Sequence, residues 1–229
     1  MSRSDETFVY VHIGGLSWEL LQRYPFMKRL THRQPLPEEW GNCDDERNGQ
    51  FDSTALFGHL RDASVPYHRS YDELTEIDNI LSLWEDLQSR RIRFVYVNLP
   101  DLAKVVGKYG IQSGKVIAKL RWYDEQLLLL ERLGERIGRR MRLRAFGTLR
   151  LIPSREKATA ASTPPAFLSD LPPTQPLDSI GGVVHLALAE LVPDSNQQLA
   201  GARSTRLSVA QNLTASALTP ENGRTACSS

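Results

Sequence analysis

Apolar and polar positions alternate too little in Phe8-Val9-Tyr10-Val11-His12-Ile13 to give a one-sided strand. The stretch is β-branched and aromatic throughout and stops at Gly14-Gly15, so it predicts a buried or half-buried strand. Ser17 is placed to cap a helix over Trp18–Tyr24 that turns Leu20 and Leu21 inward, and Pro25 disturbs its end. Residues 34–53 are polar, acidic and broken by Pro and Gly, which predicts a long loop. A short helix over 54–62 is ended by Val65-Pro66.

The next helix has the strongest signature. Ser70 and Glu73 have the spacing of a capping box. After them Leu74, Ile77, Leu81 and Trp84 recur at helical intervals, with Ile80 and Leu87 widening the stripe. Asp72, Glu76, Asp78, Glu85 and Asp86 fill the rest, and the pattern runs out near Ser89. The β-prone run 91–97 predicts a second strand.

Two helical patterns follow, separated by a turn. Asn98 and Pro100 suit a helix start, with Leu102, Ala103, Val105 and Val106 as its inner face. Gly110 suits the left-handed residue that closes it. Ser113 suits the cap of a helix that turns Val116, Ile117 and Leu120 inward. From Leu120 the apolar positions continue through Leu127, Leu130, Ile137 and Met141, with Gly134 on the same line. Packing against the core is the simpler account of that line, and a dimer seam is the alternative. Residues 143–152 predict a strand, or a hairpin bent near Gly147.

Beyond Pro153 the composition shifts to Pro, Ser, Thr and Ala. Residues 180–192 form the only apolar cluster there, long enough to dock as a helix or strand, and residues 193–229 predict disorder. Together these patterns predict an α+β, mainly helical fold. A single domain over 1–152 divides into a strand–helix–acidic loop segment (1–65) and a helical basic core (66–152) resembling a helix-turn-helix. A largely disordered tail covers 153–229.

Charge sharpens this picture. The 229 residues carry a net charge of +1, but residues 1–88 hold 8 basic against 16 acidic side chains, and residues 89–150 hold 15 against 5. Such a basic centre either meets an anionic partner or neutralises the acidic part of its own chain. Two distant cysteines, Cys43 and Cys227, make no disulfide framework and fit a reducing compartment. The start of the chain lacks the build of a signal peptide, and no apolar run approaches a membrane span. A cytoplasmic protein without membrane contact is expected, nucleoid- or nucleus-associated if it binds DNA.

A DNA-binding transcriptional or regulatory protein, using the helix-turn-helix-like element and a basic face, is the leading functional expectation. Ala103 would be the small residue of the first helix, Gly110-Ile111 the turn, and Val116 and Leu120 the lock on a recognition helix. Gln112, Ser113, Lys115, Lys119 and Arg121 would then meet bases or phosphates. Arg139, Arg140, Arg142 and Arg144 would hold the phosphate backbone. Two half-sites would favour a homodimer.

Other chemistry is thinner. The run Gly107–Val116 imitates a phosphate loop but has Tyr109 and Val116 where glycine and a hydroxyl are needed. His32, Cys43, Asp44, Asp45, His59 and His68 lack zinc-site spacing, so no metal or cofactor is expected. No nucleophile motif appears, and the reading leans against an enzyme. The first alternative is a protein-interaction or assembly factor without a nucleic-acid role. It would engage partners through the acidic N-terminal part or residues 180–192, with the basic centre consumed in internal ion pairs. A third reading, an enzyme with a dispersed site, requires His12, His32, His59 or His68 to converge with carboxylates.

Overall fold

The computed structural model describes residues 6–36, 53–71, 73–148, 164–174, 177 and 180–192. Its centre is a six-stranded mixed sheet rather than a helical core. In chain order the elements are β1 (Glu6–Gly14), α1 (Trp18–Arg23), β2 (His32–Pro35), α2 (Ser53–Asp62), β3 (Tyr67–Arg69) and α3 (Glu76–Ser89). They continue with β4 (Phe94–Leu99), α4 (Asp101–Tyr109), α5 (Gly114–Arg136), β5 (Arg140–Thr148), β6 (Ala166–Ser169) and α6 (Ile180–Leu191). The strand order is β2-β6-β5-β1-β4-β3. β1 lies parallel to both β4 and β5, β3 is parallel to β4, and β6 runs antiparallel to β5 and β2.

The expected α+β, mainly helical fold is therefore corrected to a layered α/β sheet. The physical reason lies in the strands. β1 and β4 are apolar on both faces because both faces are covered, as parallel strands require. Val9, Val11, Ile13, Val95, Val97 and Leu99 point into one core, shared with α1, α3, α4 and α5. Phe8, Tyr10, Phe94 and Tyr96 point into the other, shared with α2 and α6. The passage from β1 to β3 crosses the sheet one way with α2 on its face. The passages from β3 to β4 and from β4 to β5 return the other way, with α3, α4 and α5 on the opposite face. A single crossover hand imposes that segregation.

The helix-turn-helix pattern is thereby reassigned. α4 and α5 do flank a turn closed by Gly110 at φ +78°, and Ser113 caps α5 by accepting from Lys115 N. But the pair is the crossover between two parallel strands. α5 buries Val116, Leu120, Tyr123, Leu127, Leu130 and Gly134 against the sheet. The dimer-seam alternative for that line falls with it, since Leu120, Leu127, Leu130 and Met141 are buried within one chain.

Three local expectations also change. α3 begins at Glu76, capped by Thr75 accepting from Asp78 N, so Ser70 and Glu73 form no capping box. Ser70 is buried instead and accepts from Asn98 N at 3.1 Å. β5 runs straight through Gly147, with no hairpin. The carbonyl of Leu16 crosses so close there that any Cβ would overlap it. Finally, the sheet and its second layer extend past residue 152. β6 pairs with β5, and α6 places Val183, Leu186, Ala187, Leu188 and Leu191 in the core beside α2. The docking expected for 180–192 is met by α6. Of the acidic loop expected over 34–53, residues 34 and 35 belong instead to β2 and Ser53 opens α2, while residues 37–52 and the disorder expected for 193–229 lie outside the described residues.

Candidate functional site

The nine residues expected to contact nucleic acid do not form one surface. Gln112, Lys115, Arg121 and Arg140 are exposed. Ser113 is occupied as the α5 cap. Lys119 lies 2.6 Å from Glu76 Oε2 and 3.5 Å from Asp101 Oδ2. Arg139 donates to the carbonyls of Ile92 and Arg90 at 3.0 and 3.1 Å. Arg142 pairs with Glu6 at 2.6 Å and Asp170 at 3.4 Å. Arg144 is 1% exposed and is held by Glu190, Asp170 and Ser169. Burial alone would lower its pKa, but Tyr10, Glu190 and Asp170 outweigh that and hold the guanidinium charged. The cations at the two ends of α5 stand roughly 30 Å apart at 1.5 Å per residue. Sequence reasoning saw the arginines, not the carboxylates that close on them from β1, the β6 end and α6.

In an open parallel sheet, ligands favour the carboxyl edge where crossovers diverge. Here that point is the meeting of β1 and β4, paired at His12–Asn98 and Ile13–Leu99. The β1 end is packed closed. Gly15, at φ +81°, sits against Ala103 at the start of α4, and a Cβ there would come within 2.9 Å of the Ala103 backbone. Beneath it His12 Nδ1 lies 3.2 Å from the Tyr96 hydroxyl, and its ring stacks on Phe146 at 5.2 Å. Burial lowers the His12 pKa to about 4, against a smaller opposing contribution from Asn98, so the imidazole is neutral at pH 7. His68 is buried elsewhere, its Nδ1 2.8 Å from Asp86. Among the described residues the histidines do not converge with carboxylates in one cleft, and no group of three or more His, Cys, Asp or Glu could hold a metal ion.

An opening lies on the other flank, between α3, α4 and α5. It is an open groove of about 450 Å³ lined by Thr75, Glu76, Ile77, Asp101, Val105, Lys115, Ala118, Lys119 and Trp122. Its floor is fastened by Glu76, a carboxylate only 4% exposed. Glu76 Oε1 accepts from Tyr123 Oη at 2.7 Å and from Asp101 N at 2.8 Å, supplying the α4 start with the acceptor that no local side chain provides. Burial, and next the Glu76 carboxylate beside it, push the Tyr123 phenol well above its usual pKa.

Along the rim stands an apolar surface that sequence reasoning turned inward. α3 buries Ile80, Leu83 and Leu87 but leaves Ile77 58% and Leu81 53% exposed, with Leu74 just before it at 42%. The helix carries two apolar stripes, and the sheet takes only one. On α5 the same flank shows Trp122, half-buried, and Leu129, 39% exposed. The signal was present in the sequence as a surplus, because α3 has more apolar positions than one face can bury.

No protein-family model and no curated protein matches this chain. Among solved structures it is similar to murine ectonucleotide pyrophosphatase/phosphodiesterase 5, in an inactive form in complex with AMP. The identity is 11% and the TM-score 0.42, over 62% of this chain and 56% of that one. The chain thus spans a little over half of that structure. Among the described residues no helix is long and apolar enough to cross a membrane.

Proposed function

We propose that this chain is a protein-interaction or assembly factor whose working surface is the α3–α5 flank. One observation carries the reading: Leu74, Ile77, Leu81 and Leu129 are exposed beside an open groove, on a chain with two apolar cores already filled. Single exposed apolar residues are ordinary, but a run of them on two neighbouring helices beside a groove marks a contact surface. The internal use of Lys119, Arg139, Arg142 and Arg144 supports the same reading, since it removes them from any partner. Two cysteines without a framework fit a reducing, cytoplasmic setting.

A second reading, direct nucleic-acid contact, is favoured by one feature. Lys108 and Lys115 flank the exposed ring of Tyr109 at the α4–α5 turn, at 5.3 and 3.8 Å from its centroid, with Gln112 beside them. A small basic and aromatic patch of this kind suits a phosphate and a stacked base.

Two measurements on the full chain separate these readings. A photo-crosslinking residue at position 81 is expected to give a discrete covalent adduct, and one at the exposed Asp62 of α2 is not. Absence of any adduct at 81 overturns the interaction reading. Titration with random duplex DNA at two salt concentrations is expected to show no binding. Salt-steep binding abolished by Lys108→Ala/Lys115→Ala would replace the first reading with the second.

A further inference from the structure

We infer that the partner of the α3–α5 flank is a second copy of this chain, related by a two-fold axis that runs along the groove. This inference rests on the interaction reading above and names its partner. The warrant is the arrangement of charge on either side of the apolar strip.

On α3, helical periodicity carries Asp78 and Glu85 just beyond Ile77 and Leu81, on the side away from α5. On α5 it carries Arg121, Arg132 and Arg136 just beyond Trp122 and Leu129, on the side away from α3, with Glu125 as the acidic residue among them. Among the described residues none of Asp78, Glu85, Arg121, Arg132 and Arg136 takes part in an ion pair. The strip therefore has an acidic bank and a basic bank outside any internal ion pair, with the Asp78 carboxylate accepting from the Thr75 hydroxyl at 2.6 Å. The buried and half-buried cations Arg29, Lys119, Arg142 and Arg144, by contrast, are each matched to carboxylates within the chain.

A surface with opposite charges on its two banks is complementary to itself in one orientation. Two such faces brought together about an axis along the groove lay α3 of each copy over α5 of the other, so acid meets base twice. An axis across the groove would set acid on acid and base on base, which costs association energy. Isologous pairing also demands that one patch serve both subunits, and this patch holds the apolar centre and both charges at once. Ile77 and Leu81 of one copy would then cover Trp122 and Leu129 of the other, removing from water the apolar surface that a single chain leaves exposed.

The test uses sedimentation of the full chain. The native chain is expected to be a dimer. Ile77→Lys/Leu81→Lys is expected to sediment as a monomer with an unchanged far-ultraviolet spectrum, since both side chains face solvent in the single chain, and its melting temperature, unlike that of the native dimer, should not depend on protein concentration. Asp78→Lys/Glu85→Lys and Arg132→Glu/Arg136→Glu should each weaken the dimer by about tenfold or more, and an equimolar mixture of the two should restore it as a mixed pair in native mass spectrometry. A monomeric native chain, a dimer indifferent to the Ile77/Leu81 change, or a mixture that stays dissociated overturns the inference. The adduct formed at position 81 keeps this failure distinct from that of the interaction reading. An adduct of twice the chain mass supports self-pairing. An adduct of any other mass, or a link within one chain, sinks self-pairing, and a foreign mass leaves the interaction reading standing. No adduct sinks both.

Discussion

The carboxylate of Glu76 and the hydroxyl of Tyr123, 47 residues apart in the chain, are joined by a buried hydrogen bond of 2.7 Å. Through it α3 is fastened to α5, and the same carboxylate reaches the first amide of α4 and the ammonium of Lys119. Removing the pieces should cost unequal amounts. Tyr123→Phe deletes one hydrogen bond to a carboxylate that keeps two other partners, so about 1 kcal/mol is expected. Glu76→Gln strips the charge facing Lys119. Because Lys119 keeps 21% of its side-chain surface in water, the loss should be about 2 kcal/mol rather than that of a fully buried pair. Urea unfolding of both variants, with Lys119→Met to close a double-mutant cycle on Glu76 and Lys119, reads these directly. A coupling near zero between Glu76 and Lys119 would show that the contact contributes nothing.

His12 gives the fold a pH dependence with a definite sign. Its pKa is about 4 in the folded chain, below the usual 6.5, because burial opposes the imidazolium. The unfolded chain therefore binds the proton more tightly. Stability contributed by the neutral ring is present above pH 6.5 and is lost as the pH falls from there toward 4. At 1.36 kcal/mol per unit this amounts to about 2 kcal/mol between pH 7 and pH 5. Denaturant unfolding at the two pH values should show the drop in the native chain and a smaller one in His12→Asn. Equal drops in both would assign the acid sensitivity to other groups.

Much of this architecture was legible because it is local. The strands β1 and β4 announce themselves by unbroken apolar runs, and the turn at Gly110 and the cap at Ser113 by residue types that few other conformations demand. The sheet was not legible, since a helix–turn–helix pattern reads the same whether its second helix enters a groove of DNA or packs on parallel strands. The arginines show why charge misled as well. Arg142 and Arg144 look available in the sequence because their partners, Glu6, Asp170 and Glu190, are distant in the chain and arrive only when β1, β6 and α6 assemble around β5. The apolar rim was obscured by a local ambiguity: Ile77 and Leu81 fit a buried stripe as well as Ile80 and Leu83 do, and only the position of the sheet decides between them.

Gly147 offers a sharp check on the sheet. It pairs with Ile13 near the carboxyl ends of β5 and β1, and the backbone of Leu16 lies against it where a side chain would stand. Gly147→Ala must push backbone aside rather than bend a flexible side chain, so a loss of about 3 kcal/mol or more is expected. Gly110→Ala is a useful contrast, because space there is open and only the φ of +78° is strained. That strain should cost about 1 to 2 kcal/mol. Thermal unfolding that ranked the two in the opposite order would contradict the close approach of Leu16 to β5.

The chain ended at residue 152 should not be a stable domain. Without β6 the edge of β5 loses its antiparallel partner, and without α6 the core around Tyr10, Phe94, Phe146 and α2 loses Val183, Leu186, Leu188 and Leu191. Two buried polar groups are stranded as well. Tyr10 donates to Glu190 Oε2 at 2.7 Å, and Arg144 is paired with Glu190 and Asp170, so truncation leaves a phenol and a guanidinium in apolar surroundings. A stranded buried charge of this kind costs about 3 to 5 kcal/mol, a large part of the net stability of an ordinary domain. In the full chain Glu190→Gln isolates that contribution, because it removes the charge facing Arg144 while keeping the apolar face of α6. The truncated chain should bind a hydrophobic dye and exchange its amide hydrogens rapidly, and Glu190→Gln should unfold at lower denaturant while remaining native without it. A truncated chain that melts cooperatively with slow exchange across β5 would mean that β6 and α6 are accessories to the sheet rather than part of its core.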